Sequence, residues 1–171
     1  ITITLLIILG FLGINSLFTM SEKQQGLVLQ FGEPKRVIKD SGLHVKLPII
    51  QNTVKYDKRI LEYDLPIEEV IAVDKKRMLL DSFTRFKITD PLEFYKTVGN
   101  ESNVRNRLNS NVISSLRRVV GRVTLDELLS EERSKIMEDI KLEVNNEASR
   151  FGIEIVDVRI RRADLPEANS Q

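Results

Sequence analysis

The distribution of charge is the sequence feature that most constrains this chain. All 51 charged residues, 26 Lys and Arg and 25 Asp and Glu, lie after residue 21. The preceding segment has only five polar side chains among residues 1–20, namely Thr2, Thr4, Asn15, Ser16 and Thr19. Because about 20 helical residues cover the hydrocarbon core of a bilayer, residues 1–20 are predicted to form one transmembrane helix.

Two alternatives to a membrane helix fit the same residues less well. A cleaved signal peptide has a shorter apolar region and a cleavage site of small residues, whereas the first alanine of this chain is Ala72. A helix buried in a soluble domain usually has a shorter apolar run. The orientation of a membrane helix follows from the charges on both of its flanks, so this sequence leaves the orientation open.

The rest of the chain has the composition of a folded domain. Its 42% hydrophobic content is too high for a disordered chain, and a mean hydropathy of −0.16 is too low for a protein with several membrane spans. A net charge of +1 gives no electrostatic reason to expect nucleic-acid binding. The lack of cysteine in the sequence excludes disulfides, thiolate nucleophiles and cysteine-based metal sites.

Period-two patterns predict strands through the first half. Apolar residues alternate after Gln25 and again after Gly42, and Gly32-Glu33-Pro34 between them predicts a turn. Three further strands are predicted at 53–63, 67–73 and 77–88. About residues 25–90 are therefore expected to form a mainly antiparallel, strand-rich part.

Helix signals fill most of the second half. Asp90-Pro91 predicts the start of a short helix, and apolar residues at helical spacing predict an amphipathic helix over 104–120. Thr124-Leu-Asp-Glu127 matches a capping box, and a longer helix is expected from Ser130 to Gly152. A closing strand is predicted at 153–162. The order of strands, helices and a final strand predicts an α+β fold, with a helical part at about 91–165 in a domain that spans 21–171.

Candidate catalytic residues are few. His44 is the single histidine, and its alternation with Leu43 and Val45 is typical of a partly exposed residue in a strand. The sequence contains no motif of a serine-nucleophile elbow, a zinc protease or a phosphate-binding loop. Ser134 beside Lys135 is the nearest candidate for a Ser-Lys pair, but adjacent positions on a helix point about 100° apart. We therefore expect no catalytic, cofactor-binding or metal site, and no enzyme.

The remaining charges are interpreted as surface. Solvated faces and helix caps explain five scattered aspartates better than paired catalytic carboxylates do: Asp57, Asp64, Asp74, Asp81 and Asp90. The groups Arg117-Arg118 and Arg159-Arg161-Arg162 lack the interleaved aromatic residues that favour single-stranded nucleic acid. They are expected to form a charged surface or a protein interface. The apolar stripes at 104–120 and 136–151 are expected to face the core first and a neighbouring protomer second.

Four segments of the sequence resemble a known family, and this resemblance is independent of composition and periodicity. They are QQGLVLQFGEPKRVIKDSGLHVKLPII, VDKKRMLLDSFTRFKITDPLEFY, TLDELLSEERSKI and FGIEIVDVRIRRADLPEANSQ. Together they resemble the SPFH or Band 7 domain shared by stomatins, prohibitins and flotillins, and the last of them is similar to the HflC branch of that family. The resemblance covers about residues 20–171.

This resemblance implies partners and a location. The expected partners are the lipid bilayer, an HflK-like paralogue in a hetero-oligomeric cage, and an FtsH-like membrane protease whose substrate access the cage regulates. One N-terminal helix is expected to hold the domain on the periplasmic face of a bacterial inner membrane. Members of this branch continue into a long charged helix, so the chain is expected to lack the C-terminal coiled-coil region. Neither a cofactor nor nucleic acid is expected.

The expected mechanism is steric, and two alternatives to it stay open. Anchored domains would pack side by side into a fence that controls which proteins or lipids reach the protease, and the apolar turn from Gly42 to Pro48 would touch lipid headgroups. One alternative is a stomatin-like or prohibitin-like scaffold for another membrane client, such as a channel. The other is a membrane-bound hydrolase that uses Ser134 and Lys135.

Overall fold

The chain divides into two compact units, Ile1–Arg59 (unit 1) and Ile60–Gln171 (unit 2). The computed structural model describes Ile3, Gly10 and residues 13–165. The division falls inside the predicted strand-rich part. The reason is that the strands after Ile60 belong to the sheet that contains the closing strand of the chain, whereas the strands before it pair among themselves.

Unit 1 contains two small antiparallel sheets. In the first, β1 (Leu17–Met20) pairs with β4 (Gly42–Val45). In the second, β2 (Gln24–Gln30) is the central strand between β3 (Glu33–Ile38) and β5 (Gln51–Asp57). The apolar run of β2 is buried, and its Val28 forms a small core cluster with Met20 and Ile38, against which Phe18 packs.

The structure corrects the predicted end of the membrane helix. Residues 13–16 are helical, but Leu17–Met20 form β1 instead of continuing the helix through Met20. A short apolar run fits either a helix or a strand by periodicity, and pairing with β4 decides the outcome here. Half of the predicted segment 1–20 lies outside the described residues. Within the described part of the chain, no helix combines the length and the apolarity that a bilayer crossing requires.

Two strand predictions in unit 1 also differ from the structure. The sequence patterns do not predict β3, because Pro34 is typical of a turn. The structure places Pro34 on an edge strand beside a register shift at Val28/Leu29, where the missing N–H is tolerated. The strand predicted at 53–63 is two strands, β5 and β6 (Leu61–Asp64), and the boundary between the units lies between them.

Unit 2 is a helix-on-sheet arrangement built around one long strand. This strand, β8 (Arg77–Ile88), pairs with β6 and β7 (Glu68–Ile71) along one edge and with β9 (Ile153–Asp164) along the other. All of these pairings are antiparallel, as predicted. Alternate residues of β8 are buried, which confirms the predicted parity of Met78, Leu80, Phe86 and Ile88.

Four helices connect β8 to β9. They are α1 (Pro91–Thr97), α2 (Glu101–Val120), α3 (Leu125–Leu129) and α4 (Arg133–Ala148). The predicted start signals are confirmed: the Asp90 side chain accepts hydrogen bonds from the amides of Leu92 and Glu93, and Thr124 and Glu127 form the capping box. The predicted α+β order of elements is therefore confirmed for unit 2.

Gly152 is required where the helical part returns to the sheet. It follows a 3-10 turn at Ser149–Phe151 and has φ +69°, a left-handed conformation that glycine adopts without strain. An added Cβ atom would lie 2.3 Å from the carbonyl oxygen of Asp90. This close approach fixes the start of β9 beside the start of α1.

Candidate membrane-facing surface

His44, the single histidine, has structural contacts in unit 1. It is a partly exposed residue of β4, as predicted, with Nε2 3.0 Å from the carbonyl oxygen of Asp40. Its ring centroid lies 5.7 Å from that of Phe18, which packs on the core cluster. These contacts assign His44 a role in holding β4 in unit 1.

Ser134 and Lys135 are adjacent on the first turn of α4. Both side chains are exposed, and successive positions of a helix point about 100° apart. Ser134 shares the wall of a small cleft with Arg133, Glu138 and Asp157. The helix geometry therefore separates the two groups that a Ser-Lys mechanism would have to bring together.

The five aspartates weighed as catalytic carboxylates do not form one site. Asp90 caps α1, and Asp57 in unit 1 forms a salt bridge with Arg59 at 2.6 Å. The hydrogen bond from Arg59 lowers the pKa of Asp57 below its ordinary value, although burial alone would raise it. Among the described residues, no group of three or more His, Asp or Glu side chains is placed to hold a metal ion.

Both arginine groups are held in ion pairs within unit 2. Arg117 Nη2 lies 2.9 Å from Glu68 Oε2, and Arg118 binds Glu143. Arg159, Arg161 and Arg162 pair with carboxylates of neighbouring strand positions, namely Asp157, Glu62, Asp64 and Asp164. Two of these pairs join positions two apart on β9, and Arg161 reaches the carboxylates of β6, so the group lies on a solvated face of the sheet.

A different arrangement occurs at one end of unit 1. The end of β2 lies beside the start of β3 and the start of β5, because Gln30 is opposite both Glu33 and Gln51. The turn at 31–32 and the loop at 46–50 therefore occupy the same end of the sheet. The N-terminal segment arrives there too, since Leu17 is opposite Val45 and the amide of Lys46 donates to the carbonyl oxygen of Ser16 at 2.8 Å.

We call this the apolar end of unit 1, defined by exposed side chains of its turns and strand termini: Leu17, Phe31, Val45, Leu47, Ile49 and Ile50. Ile49 is 91% exposed and Phe31 is 83% exposed. Scattered apolar side chains are normal on a protein surface, but clustered ones mark a contact with another apolar phase or partner. This end of unit 1 therefore has the character of a docking surface.

The two most exposed side chains of the apolar end are also held in an unfavourable backbone conformation. Phe31 has φ +53° and Ile49 has φ +73°. A β-branched residue such as isoleucine rarely adopts positive φ, and the cost is about 1–2 kcal/mol. Strain of this kind is typical of positions where the side chain has a use outside the fold.

Basic residues flank the apolar end. A shallow groove there is lined by Lys35, Arg36 and Lys46 together with Val45 and Leu47. Cations beside apolar side chains suit an interface with anionic lipid headgroups, where the aliphatic parts enter the acyl region and the charges stay at the surface.

Sequence reasoning found only part of this surface. It singled out the turn from Gly42 to Pro48, which does contribute Val45 and Leu47. It missed Phe31 and Ile49, although each stands next to a turn residue, Gly32 or Pro48. A large apolar residue at a turn position was the available signal, because turns normally carry polar or small residues.

Known proteins resemble the chain over both units. The model of the SPFH domain / Band 7 family matches residues 18–171. The chain is 30% identical to Protein HflC of Haemophilus influenzae, over 90% of the chain and 56% of that protein. It is 29% identical to Stomatin-1 of Caenorhabditis elegans, over 86% of the chain and 43% of that protein. It is 23% identical to the Modulator of FtsH protease HflC of Escherichia coli K12, over 91% of the chain and 61% of that protein. The chain thus spans about half the length of these relatives.

Proposed function

Because the chain belongs to the SPFH domain / Band 7 family, we propose that it is a membrane-bound scaffold that regulates other proteins by its position and does not transform a molecule itself. The family model matches residues 18–171, which begin within β1 and extend through both units. The proposal assigns unit 1 to the lipid surface.

The observation that carries this proposal is the apolar end of unit 1. The predicted membrane segment joins the fold at the same end as Phe31 and Ile49, through residues 13–16 and β1. Insertion of a fully buried aliphatic or aromatic side chain contributes about 1.5–3 kcal/mol. The two side chains and one anchor together would therefore hold unit 1 against the bilayer in a defined orientation.

Such a scaffold regulates an enzyme by limiting, within the plane of the membrane, which proteins can reach it. An anchored domain meets its neighbours at a high effective concentration in the membrane plane, so weak lateral contacts act together. Domains packed side by side would form a fence that limits which proteins reach an enclosed enzyme.

We infer a finer assignment from the HflC relatives. One of them carries the name Modulator of FtsH protease HflC, and the resemblance of this chain to that branch extends over nine tenths of its residues. We propose that the whole protein forms a hetero-oligomer with an HflK-like paralogue around an FtsH-like protease. Its soluble part would lie on the periplasmic side of a bacterial inner membrane.

A second candidate is a scaffold for another membrane client. The identity with Stomatin-1 is nearly as high as that with the first HflC protein. Purification of a tagged protein after mild solubilisation, followed by mass spectrometry, separates the two. Recovery of HflK-like and FtsH-like proteins supports the first candidate, and recovery of a channel or transporter without them supports the second.

The lipid-facing role can be tested with tryptophan, because the chain contains none. Phe31→Trp and Ile49→Trp place single probes at the apolar end, in the full 171-residue chain reconstituted into vesicles of phosphatidylcholine and anionic phosphatidylglycerol. We expect a blue-shifted emission and quenching by lipids with brominated acyl chains.

The matched control is Ile67→Trp in unit 2, because Ile67 is also a strongly exposed isoleucine, at 66%. Its emission is expected to stay red-shifted and unquenched by brominated lipid. Equal quenching at all three positions, or at none, would contradict the proposal that unit 1 alone enters the bilayer surface.

A further inference from the structure

Three basic side chains line the groove beside the apolar end of unit 1. They belong to Lys35, Arg36 and Lys46, and Val45 and Leu47 add apolar side chains to the same wall. The groove has a volume of about 300 Å³, and none of the described residues that line it is acidic. A concave site with several cations and no carboxylate in its wall attracts an anion.

Arg36 is held in the groove by a bond to the backbone. Its Nη2 atom donates to the carbonyl oxygen of Val45. This bond uses one of the five N–H donors of the guanidinium group. The carbonyl oxygen is a neutral acceptor, so it leaves the positive charge uncompensated. Arg36 is therefore a fixed cation with donors left for a ligand.

Lys46 is the cation of the groove whose ammonium group has no partner within the described part of the chain. Its backbone amide donates to the carbonyl oxygen of Ser16 at 2.8 Å, which fixes the position from which the side chain extends. The residue is half-buried, and it belongs to none of the ion pairs that the described residues of unit 1 form. Because buried charges are normally paired, such an ammonium group is a favourable partner for an incoming anion.

Two further lysines of unit 1 also bind neutral acceptors. Lys55 Nζ donates to the carbonyl oxygen of Thr19 at 2.8 Å, and Lys58 Nζ donates to that of Lys39 at 3.2 Å. Neither bond compensates the charge of its lysine. Unit 1 has more basic than acidic residues, and this excess raises the concentration of anions at its surface.

Gln51 fixes the loop that carries one wall of the groove. Its Oε1 atom accepts a hydrogen bond from the amide of Leu47 at 2.8 Å, and its own amide donates to the carbonyl oxygen of Leu47 at 3.0 Å. Its Nε2 atom donates to Gln30 Oε1 at 3.4 Å. These bonds keep Lys46 and Ile49 on one short, defined loop. A preformed site loses less conformational entropy when its ligand binds.

The mixed wall of the groove determines the class of its ligand. Arginine and lysine bind phosphate through charge-assisted hydrogen bonds, and the exposed side chains of Val45 and Leu47 suit the acyl chains beside a headgroup. An anionic phospholipid combines both parts in one molecule. We propose that this groove binds the phosphate group of an anionic phospholipid, which Lys46 and Arg36 contact directly. The inference rests on the proposed function, because it requires unit 1 to lie on the bilayer surface.

Lipid retention by the full 171-residue chain tests this site. The chain is reconstituted in phosphatidylcholine vesicles that contain a minor fraction of phosphatidylglycerol, purified in mild detergent, and analysed for retained lipid by mass spectrometry. Phosphatidylglycerol is expected to be enriched over phosphatidylcholine. Lys46→Gln is expected to reduce this enrichment about fivefold, because one charge-assisted hydrogen bond is lost. Lys46→Arg keeps the charge and is expected to retain the lipid.

The matched control is Lys23→Gln, which removes the same charge from unit 1. Lys23 directly precedes β2, whereas the groove lies beside the other end of that strand, where Gln30 is opposite Gln51. Its enrichment is expected to equal that of the natural chain. Equal losses in Lys46→Gln and Lys23→Gln, with normal thermal unfolding of both, would overturn the site, and so would an unchanged enrichment in Lys46→Gln.

Two further measurements identify the ligand. Oleate in place of phosphatidylglycerol supplies a negative headgroup without phosphate, so weaker enrichment is expected, and equal enrichment would overturn the phosphate contact. Millimolar glycerol phosphate, added during purification, is expected to leave phosphatidylglycerol bound, because it lacks acyl chains to contact Val45 and Leu47. Displacement at that concentration would assign the groove to a soluble phosphate ester and overturn the lipid as its ligand.

The tryptophan of Phe31→Trp separates this inference from the proposed function. Blue-shifted and lipid-quenched emission without enrichment of phosphatidylglycerol rejects the headgroup site and leaves the lipid-facing role of unit 1 intact. Emission that stays red-shifted in every vesicle rejects the proposed function, and the lipid ligand with it.

Discussion

The two units differ in where their charges and their exposed apolar side chains lie. Unit 1 has eight basic and four acidic residues, a net charge of +4, and unit 2 has 18 basic and 21 acidic residues, a net charge of −3. Unit 1 gathers large apolar side chains at one end. Unit 2 covers the open face of its sheet with ion pairs between strands. Consecutive parts of one chain thus present an exposed apolar end and a charged sheet face.

The units also differ in how they are held together. Unit 2 buries the apolar side of β8 under two long helices, and its fully buried side chains include Leu80, Phe94 and Ile140. Unit 1 has the small cluster of Met20, Val28 and Ile38 between short strands. The larger core should make unit 2 the more sensitive of the two to loss of buried volume.

The largest expected effect is that of Leu80→Ala at the centre of β8. Leu80 is fully buried, so its truncation should lower the free energy of unfolding by about 3–5 kcal/mol. Hydrogen exchange followed by peptide mass spectrometry should show loss of protection over residues 61–164 and retained protection in β2 and β5.

The matched control for this change is Leu142→Ala, because Leu142 is a 58% exposed leucine of α4. It should change the free energy of unfolding by less than about 0.5 kcal/mol. Equal loss of protection in both units after Leu80→Ala would contradict the prediction that unit 1 is stabilised separately from unit 2.

Gly152→Ala should have the next largest effect. A Cβ atom there is strained by φ +69° and also meets Asp90 at 2.3 Å, so we expect a loss of about 2–4 kcal/mol in the free energy of unfolding. Gly99→Ala is the control, because Gly99 has φ +83° but its nearest neighbour is at 3.8 Å. Denaturant titration should give a smaller loss for Gly99→Ala, of about 1 kcal/mol, from strain alone. Equal losses would show that the close approach to α1 does not hold β9.

Asp57→Asn tests a charge contact in unit 1. The folded-state pKa of Asp57 is below its ordinary value of 3.8 because of Arg59. The stabilisation is therefore complete above the ordinary pKa and is lost as the pH falls through the folded-state pKa. The variant should be less stable at neutral pH by about 0.5 kcal/mol, and the difference should vanish in acid. Urea titrations at several pH values measure this, and a difference that grew in acid would contradict it.

The smallest effect on stability is expected for Ile49→Gly. Replacement removes the strain at φ +73° and a side chain that is 91% exposed, while glycine adds freedom to the unfolded chain. Because these two contributions are similar in size and opposite in sign, the free energy of unfolding should change by less than about 0.5 kcal/mol and should not fall. Insertion into vesicles, reported by the tryptophan of Phe31→Trp, should weaken at the same time. A clear loss of stability would show that Ile49 serves the fold of unit 1 and not the lipid contact.

Local patterns predicted unit 2 better than unit 1. The caps at Asp90 and Thr124, the stop at Gly152 and the parity of β8 are encoded within a few residues of each feature. In unit 1, β1 escaped prediction because it is short and pairs with a strand distant in sequence, and β3 escaped it because Pro34 is typical of a turn. Leu17, for example, pairs with Val45, which is far away in the sequence, so no local periodicity predicts this pairing.

Local patterns also predict only part of the candidate membrane-facing surface. Alternation predicts that Leu43 and Val45 share one side of β4, and the structure places both on the exposed side with His44 on the other. Periodicity groups residues by face but does not identify which face meets the core, because that choice depends on what packs against the strand.

The amino-acid sequence by itself determined the uncharged N-terminal segment, the α+β order, the helix caps at Asp90 and Thr124 and the family, since composition, caps and motifs are properties of neighbouring residues. The tertiary structure alone decided that Phe31 and Ile49 lie at the same end of unit 1, where the N-terminal segment enters. Those placements depend on antiparallel register and on hydrogen bonds between distant segments, and these exist only after the chain has folded.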